Sequence, residues 1–128
     1  MNNITVHIEI PKNTRVKYEY KNNKLICDRI LHTPITYPFS YGYIENTLGG
    51  DGDALDAIVI LDEPLISNCY IDCKIIDALV TIDEQGRDEK FICVPTDKID
   101  PISKNINNIK DIDESVIQKI VFFYEHYK

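Results

Sequence analysis

The chain has 128 residues, 44% of them hydrophobic, which suits one domain with one sizeable core and is too short for two ordinary ones. Its net charge of -7 disfavours sequence-independent nucleic-acid binding, which depends on cations that neutralise phosphates. No apolar run approaches the roughly 20 residues that span a bilayer, and the opening MNNITVHIEI is not a signal peptide, so a soluble, cytoplasmic protein without a membrane partner is expected.

Residues 4–10 alternate, with Ile4, Val6, Ile8 and Ile10 on one side and Thr5, His7 and Glu9 on the other, the period of a half-buried strand. Residues 15–20 repeat the device, Val16, Tyr18 and Tyr20 opposing Arg15, Lys17 and Glu19. Further strand-like segments at 24–31, 56–61, 70–82 and 89–94 are separated by Asn22-Asn23, Gly49-Gly50, Glu63-Pro64 and Glu84-Gln85-Gly86. Strands at this spacing suggest a barrel or sandwich. A loop is marked at Asn105 to Asn108, and one helix is expected from an N-cap at Asp113 or Ser115 to Lys128. Its apolar stripe of Val116, Ile117, Ile120, Val121, Phe123, Tyr124 and Tyr127 should pack on the barrel.

The charge is unevenly spread: residues 51–100 hold thirteen of the 21 acids against four of the 14 cations. Scattered acids usually form a solvated face. Asp51, Asp53 and Asp56, however, fall within six residues, and Gly49, Gly50 and Gly52 let the backbone turn so that the three can converge. Three carboxylates this close repel one another, and divalent cations such as Mg²⁺ or Mn²⁺ relieve the repulsion. On its own such a tripeptide is more often an Asp/Gly turn that caps backbone amides. An EF-hand loop is excluded, because with Asp51 as the first position the sixth is Asp56 in place of Gly and the twelfth is Asp62 in place of Glu. Cys27, Cys69, Cys73 and Cys93 contain no C-x-x-C pair and read as free, mostly buried thiols, while His7, His32 and His126 lack partner spacing and receive no chemistry.

Tyr37-Pro38-Phe39-Ser40-Tyr41-Gly42 followed by Asp51-Gly52-Asp53-Ala54-Leu55-Asp56 resembles the signature of the family I soluble inorganic pyrophosphatases. IEIP at 8–11, KYE at 17–19, DR at 28–29, DEQGRDEK at 83–90 and EHYK at 125–128 fall in the family's order, so the likeness covers essentially the whole chain. Ala54 stands where the family commonly has Pro, and family members normally continue beyond the Tyr127-Lys128 pair, which marks this chain as short or truncated at its C-terminus. The resemblance implies a mainly β (α+β) fold, a five-stranded OB-like β-barrel with a flanking C-terminal helix, made by residues 1–128 as one domain. It implies hydrolysis of inorganic pyrophosphate with several Mg²⁺ ions, replaceable by Mn²⁺ or Co²⁺. A domain this small is also expected to form a homo-oligomer that covers apolar surface.

Residue by residue, Asp51, Asp56, Asp83 and Asp88 look like direct metal ligands, Glu9 and Glu19 like ligands of an ion that arrives with the substrate, and Asp53 like the general base. Lys17, Arg29, Tyr127 and Lys128 resemble the phosphate ligands; Tyr37, Tyr41 and Lys90 line the site and orient carboxylates or phosphate oxygens. The rival readings are a catalytically weakened homologue and an OB-type binding module, the second disfavoured by the acidic balance.

Overall fold

The computed structural model describes residues 3–50, 52–83 and 86–127, the side chain of Asp83 excepted. The expected roles of Asp51 and Lys128, and the expected turn at Glu84-Gln85, therefore lie outside the described residues.

Seven strands are described: β1 (Asn3–Ile10), β2 (Val16–Lys21), β3 (Lys24–Ile30), β4 (Ser40–Ile44), β5 (Asp56–Val59), β6 (Tyr70–Asp83) and β7 (Gly86–Pro95). Five of them close a barrel in the order β1-β4-β5-β7-β6, with β5 and β7 parallel and the other pairs antiparallel. This is the expected mainly β barrel with a flanking helix. Its membership differs from the strand-like segments in the sequence: β2 and β3 form a separate two-stranded sheet, and β4 takes a place in the barrel. The β2–β3 hairpin turns at Asn22 and Asn23, both with positive φ, the geometry that a tight two-residue hairpin requires.

Two apolar clusters hold these elements. Val6, Ile8, Ile44, Ala57, Val59, Ile71, Cys73 and Cys93 fill the barrel, each at most 6% exposed. Ile10, Tyr37, Phe39 and Ile58 meet the helix α1 (Glu114–His126) through Ile120, Phe123 and Tyr124. Burying a residue of that size contributes about 1.5–3 kcal/mol, enough to explain why α1 docks although its N-cap Asp113 makes no side-chain capping bond. Two short 3-10 helices, Pro101–Asn105 and Ile109–Asp111, bracket the expected loop and lead into α1. All four cysteines are free; Cys73 and Cys93 are buried, and Cys27 is exposed on β3.

The approach of β1 to β4 rests on Gly42, which pairs with Ile8. A β-carbon there would collide with the carbonyl oxygen of His7. The flanking Tyr41 and Tyr43 can line one face because Gly42 lets the strands come this close. Gly42→Ala should therefore lower stability by roughly 2 kcal/mol or more, read as an earlier urea midpoint. An unchanged midpoint would show that the strand pair tolerates the extra carbon.

Candidate active site

A cavity of about 730 Å³ opens between the barrel, the β2–β3 hairpin and the end of α1. The barrel supplies acids: Glu9 near the end of β1, Asp56 at the start of β5, and Asp88 on β7, with Asp53 from the preceding turn. That turn is tied by Gly49 N–H to the Asp53 carbonyl oxygen at 2.7 Å and by Gly52, at φ 88, donating to the Gly49 carbonyl at 3.1 Å. The hairpin supplies Lys17, Lys21 and Arg29 along with Glu19 and Asp28. Lys17 and Arg29 are register partners across β2 and β3, and Lys17 Nζ stands 3.4 Å from Asp28 Oδ2. Tyr127, at the end of α1, completes the wall beside Tyr37 and Tyr41.

Glu9, Lys17, Glu19, Arg29, Tyr37, Tyr41, Asp53, Asp56, Asp88, Lys90 and Tyr127 thus all line one space. Asp83 ends β6 opposite Gly86, two register steps beyond the Thr81–Asp88 pair. Sequence reasoning missed Tyr18, Tyr20, Lys21, Asp28, Tyr43 and Tyr124, which line the same cavity. Tyr43 could have been found from its parity with Tyr41, and Tyr124 from its position one helical turn before Tyr127.

Lys90 is 4% exposed and organises the acidic side. Its ammonium lies 2.9 Å from Asp88 Oδ2 and 3.6 Å from Asp56 Oδ2, and it donates to the Tyr41 hydroxyl at 2.9 Å. Tyr41 in turn donates to Asp56. Burial pulls the Lys90 pKa down, but Tyr127, Asp56 and Asp88 together hold it above its ordinary value, so the ammonium stays charged. Burial also lifts Asp56, opposed by Lys90 and by the Tyr41 hydrogen bond. Tyr41, Tyr37 and Tyr124 are pushed up mainly by burial and keep their protons.

Glu9 is shifted upward as well. Burial, with Asp56 and Glu19 adding repulsion, raises its pKa from 4.5 to about 7, although Glu9 Oε2 accepts the Tyr20 backbone N–H at 2.7 Å.

Among the described residues no three of these carboxylates converge closely enough to grip an ion. The donor set nonetheless fits hard divalent cations: Glu9, Glu19, Asp53, Asp56 and Asp88 offer oxygen alone, and among the described residues no imidazole or thiolate lines the cavity. Half of the wall is built for cations and the facing half, Lys17, Lys21 and Arg29, for an anion.

A closed five-stranded barrel carrying such a divided cavity defines a small β protein whose ligand is a polyanion handled with divalent metal. The family description for inorganic pyrophosphatase matches residues 6–128. The chain is 50% identical over 121 residues to an inorganic pyrophosphatase of Nanoarchaeum equitans, covering 94% of this chain and 76% of the relative. It is 45% identical to that of Saccharolobus solfataricus, covering 98% of this chain and 74% of the relative. The solved inorganic pyrophosphatase of Helicobacter pylori superposes with a TM-score of 0.95 at 38% identity, covering 99% of this chain and 76% of that one. The chain belongs to the inorganic pyrophosphatase family. Among the described residues no helix is long and apolar enough to cross a membrane.

The Glu9 shift gives a test. Between pH 4.5 and about 7 the folded metal-free protein holds a proton on Glu9 that the unfolded chain releases, so stability falls as pH rises through that window. In chelator, Glu9→Gln should remove a decline on the order of 2–3 kcal/mol, measured as urea unfolding free energies at pH 4.5 and 7.5. An identical slope in the variant would place the strained carboxyl elsewhere.

Proposed function

We infer that this chain hydrolyses inorganic pyrophosphate to two phosphates in the divided cavity, with Mg²⁺ as its working ion. The carrying observation is the opposition of the Glu9, Asp53, Asp56 and Asp88 carboxylates to the Lys17 and Arg29 cations across one space. Neither half is balanced alone, and a magnesium salt of a small polyanion satisfies both.

Bound divalent cations would supply charge neutralisation and acidify water at neutral pH. Asp51, Asp56, Asp83 and Asp88 are the residues to hold them, with Glu9 and Glu19 reaching one that enters with the substrate. Lys90 would keep Asp56 and Asp88 in place through its contacts of 3.6 and 2.9 Å. Asp53, on the exposed turn, takes the proton of the attacking water as its oxygen bonds to one phosphorus. The bridging P–O bond breaks and its electron pair leaves on the second phosphate, whose charge Lys17, Arg29, Tyr127 and Lys128 stabilise. Tyr41, protonated, holds Asp56 by its hydrogen bond, and Tyr37 lines the same cavity.

The whole chain would act as one cytoplasmic domain and self-associate, for which Ile82 and Phe122, 80% and 53% exposed, offer apolar surface. An OB-type nucleic-acid module is not favoured, since its basic, stacking groove is replaced here by a carboxylate wall.

Two outcomes follow for the purified chain. Millimolar Mg²⁺ should raise the melting temperature, because the carboxylate cluster exists only in the folded state. Asp53→Asn should keep most of that shift and lose about a hundredfold or more in kcat on magnesium pyrophosphate, since an amide accepts no proton. Near-parental turnover would remove Asp53 from the base role, and a melting temperature indifferent to Mg²⁺ would remove metal from the resting site.

A further inference from the structure

Behind the Glu9 side of the cavity lies a polar cluster to which the hydrolytic reading gives no role. The alternation of β1 puts His7 with Thr5 and Glu9 on the polar face, yet its side chain is 1% exposed. Its Nδ1 is 2.8 Å from the Tyr43 hydroxyl and its Nε2 is 3.1 Å from Asn68 Oδ1. The ring stacks on Tyr70 at 4.4 Å between centroids and meets Tyr20 edge-on at 4.6 Å.

Asn68 is firmly placed. Its backbone is left-handed at φ 73, its N–H donates to the Ile8 carbonyl at 2.7 Å, and Ile8 N–H donates to the Cys69 carbonyl at 2.9 Å. Because Asn68 Oδ1 can only accept, His7 Nε2 carries the hydrogen. In that tautomer Nδ1 is the acceptor, and Tyr43 donates to it.

The consequence falls on Tyr43, which lines the cavity. Its only proton is committed to His7, which leaves its oxygen lone pairs as the sole hydrogen-bonding capacity it can show to anything else. An acceptor oxygen beside Glu9 repels phosphate oxygens and suits the hydrogens of a hydrated cation.

We propose that His7 is a positioning residue that fixes Tyr43 as a hydrogen-bond acceptor for the water shell of a divalent cation at the Glu9 side of the cavity. This rests on the metal-dependent reading above. A plain structural histidine predicts lost stability alone, whereas a positioning role predicts that His7 and Tyr43 act on cation affinity as one unit.

The test uses the full chain and three variants: Tyr43→Phe, which removes one hydroxyl; His7→Phe, which keeps the ring contacts and removes both nitrogens; and the double variant. Mn²⁺ is titrated calorimetrically in the presence of methylenediphosphonate, a non-hydrolysable pyrophosphate analogue, and half-saturating Mn²⁺ is measured for pyrophosphate hydrolysis. Each single variant should weaken Mn²⁺ binding roughly three- to tenfold, the double no more than either single, and the kinetic loss should appear in half-saturating Mn²⁺ more than in kcat. Parental Mn²⁺ affinity in Tyr43→Phe, or multiplicative losses in the double variant, overturns the proposal while leaving the hydrolytic reading intact. Should His7→Phe fail to fold, Tyr43→Phe alone still decides. A parent chain that neither binds Mn²⁺ with the analogue nor hydrolyses pyrophosphate overturns both.

Discussion

A buried ammonium between two carboxylates sets the terms for this molecule. Lys90 sits on β7 directly opposite Asp56 on the parallel strand β5, and it reaches Asp88 on its own strand and Tyr41 on β4. Three neighbouring barrel strands are thereby joined by charge at the point where the cavity opens. At 4% exposure an unpaired ammonium would be strongly destabilising, so the carboxylates that burden the site are also what permits Lys90 to be there. The balance is local: Glu9, on the same cavity, is pushed up to about 7 by burial and further by Asp56 and Glu19. The carboxylates of Glu9, Asp53, Asp56 and Asp88 outnumber the ammonium of Lys90 there, and divalent cations relieve such an excess.

The division of labour between barrel and hairpin follows from that constraint. A closed barrel has no free edge and a packed interior, which makes it a rigid base for Glu9, Asp56 and Asp88. The β2–β3 hairpin lies outside the closed sheet and is less buried, and it brings Lys17 and Arg29 to the opposite side of the cavity. The barrel wall is predominantly acidic, and the hairpin carries Lys17, Lys21 and Arg29 with Glu19 and Asp28 among them, so an anion with its metals can bridge the two. The helix α1 closes the third side through Tyr124 and Tyr127, anchored by Ile120 and Phe123.

Much of this was legible in the sequence because the strongest signals have a local cause. β1 was recoverable from Ile4, Val6, Ile8 and Ile10, and α1 from its apolar stripe, since burial on one face imposes a period. The hairpin turn was visible in Asn22-Asn23 for the same reason. β4 was not, because Ser40, Tyr41, Gly42 and Tyr43 carry small and turn-prone residues exactly where two strands approach most closely; the glycine that reads as a break is a steric requirement of the pairing. Nor could alternation separate His7 from the half-buried Thr5, since its burial depends on Tyr43, Asn68 and Tyr70, residues far along the chain. The lining role of Tyr18 and Tyr20 was hidden likewise: the pairing shifts at Asp28, an extra residue of β3 opposite Lys17-Tyr18, and residues of both parities on β2 line the cavity.

The central claim is that a cavity divided between carboxylates and cations splits pyrophosphate with the help of divalent metal. It is tested most directly by measuring phosphate release from pyrophosphate by the purified chain in Mg²⁺ and again in chelator. The account predicts two phosphates formed for each pyrophosphate consumed in Mg²⁺ and loss of that release when the metal is removed. Release that persists unchanged in chelator, or no release at all with Mg²⁺, Mn²⁺ or Co²⁺ present, would contradict it.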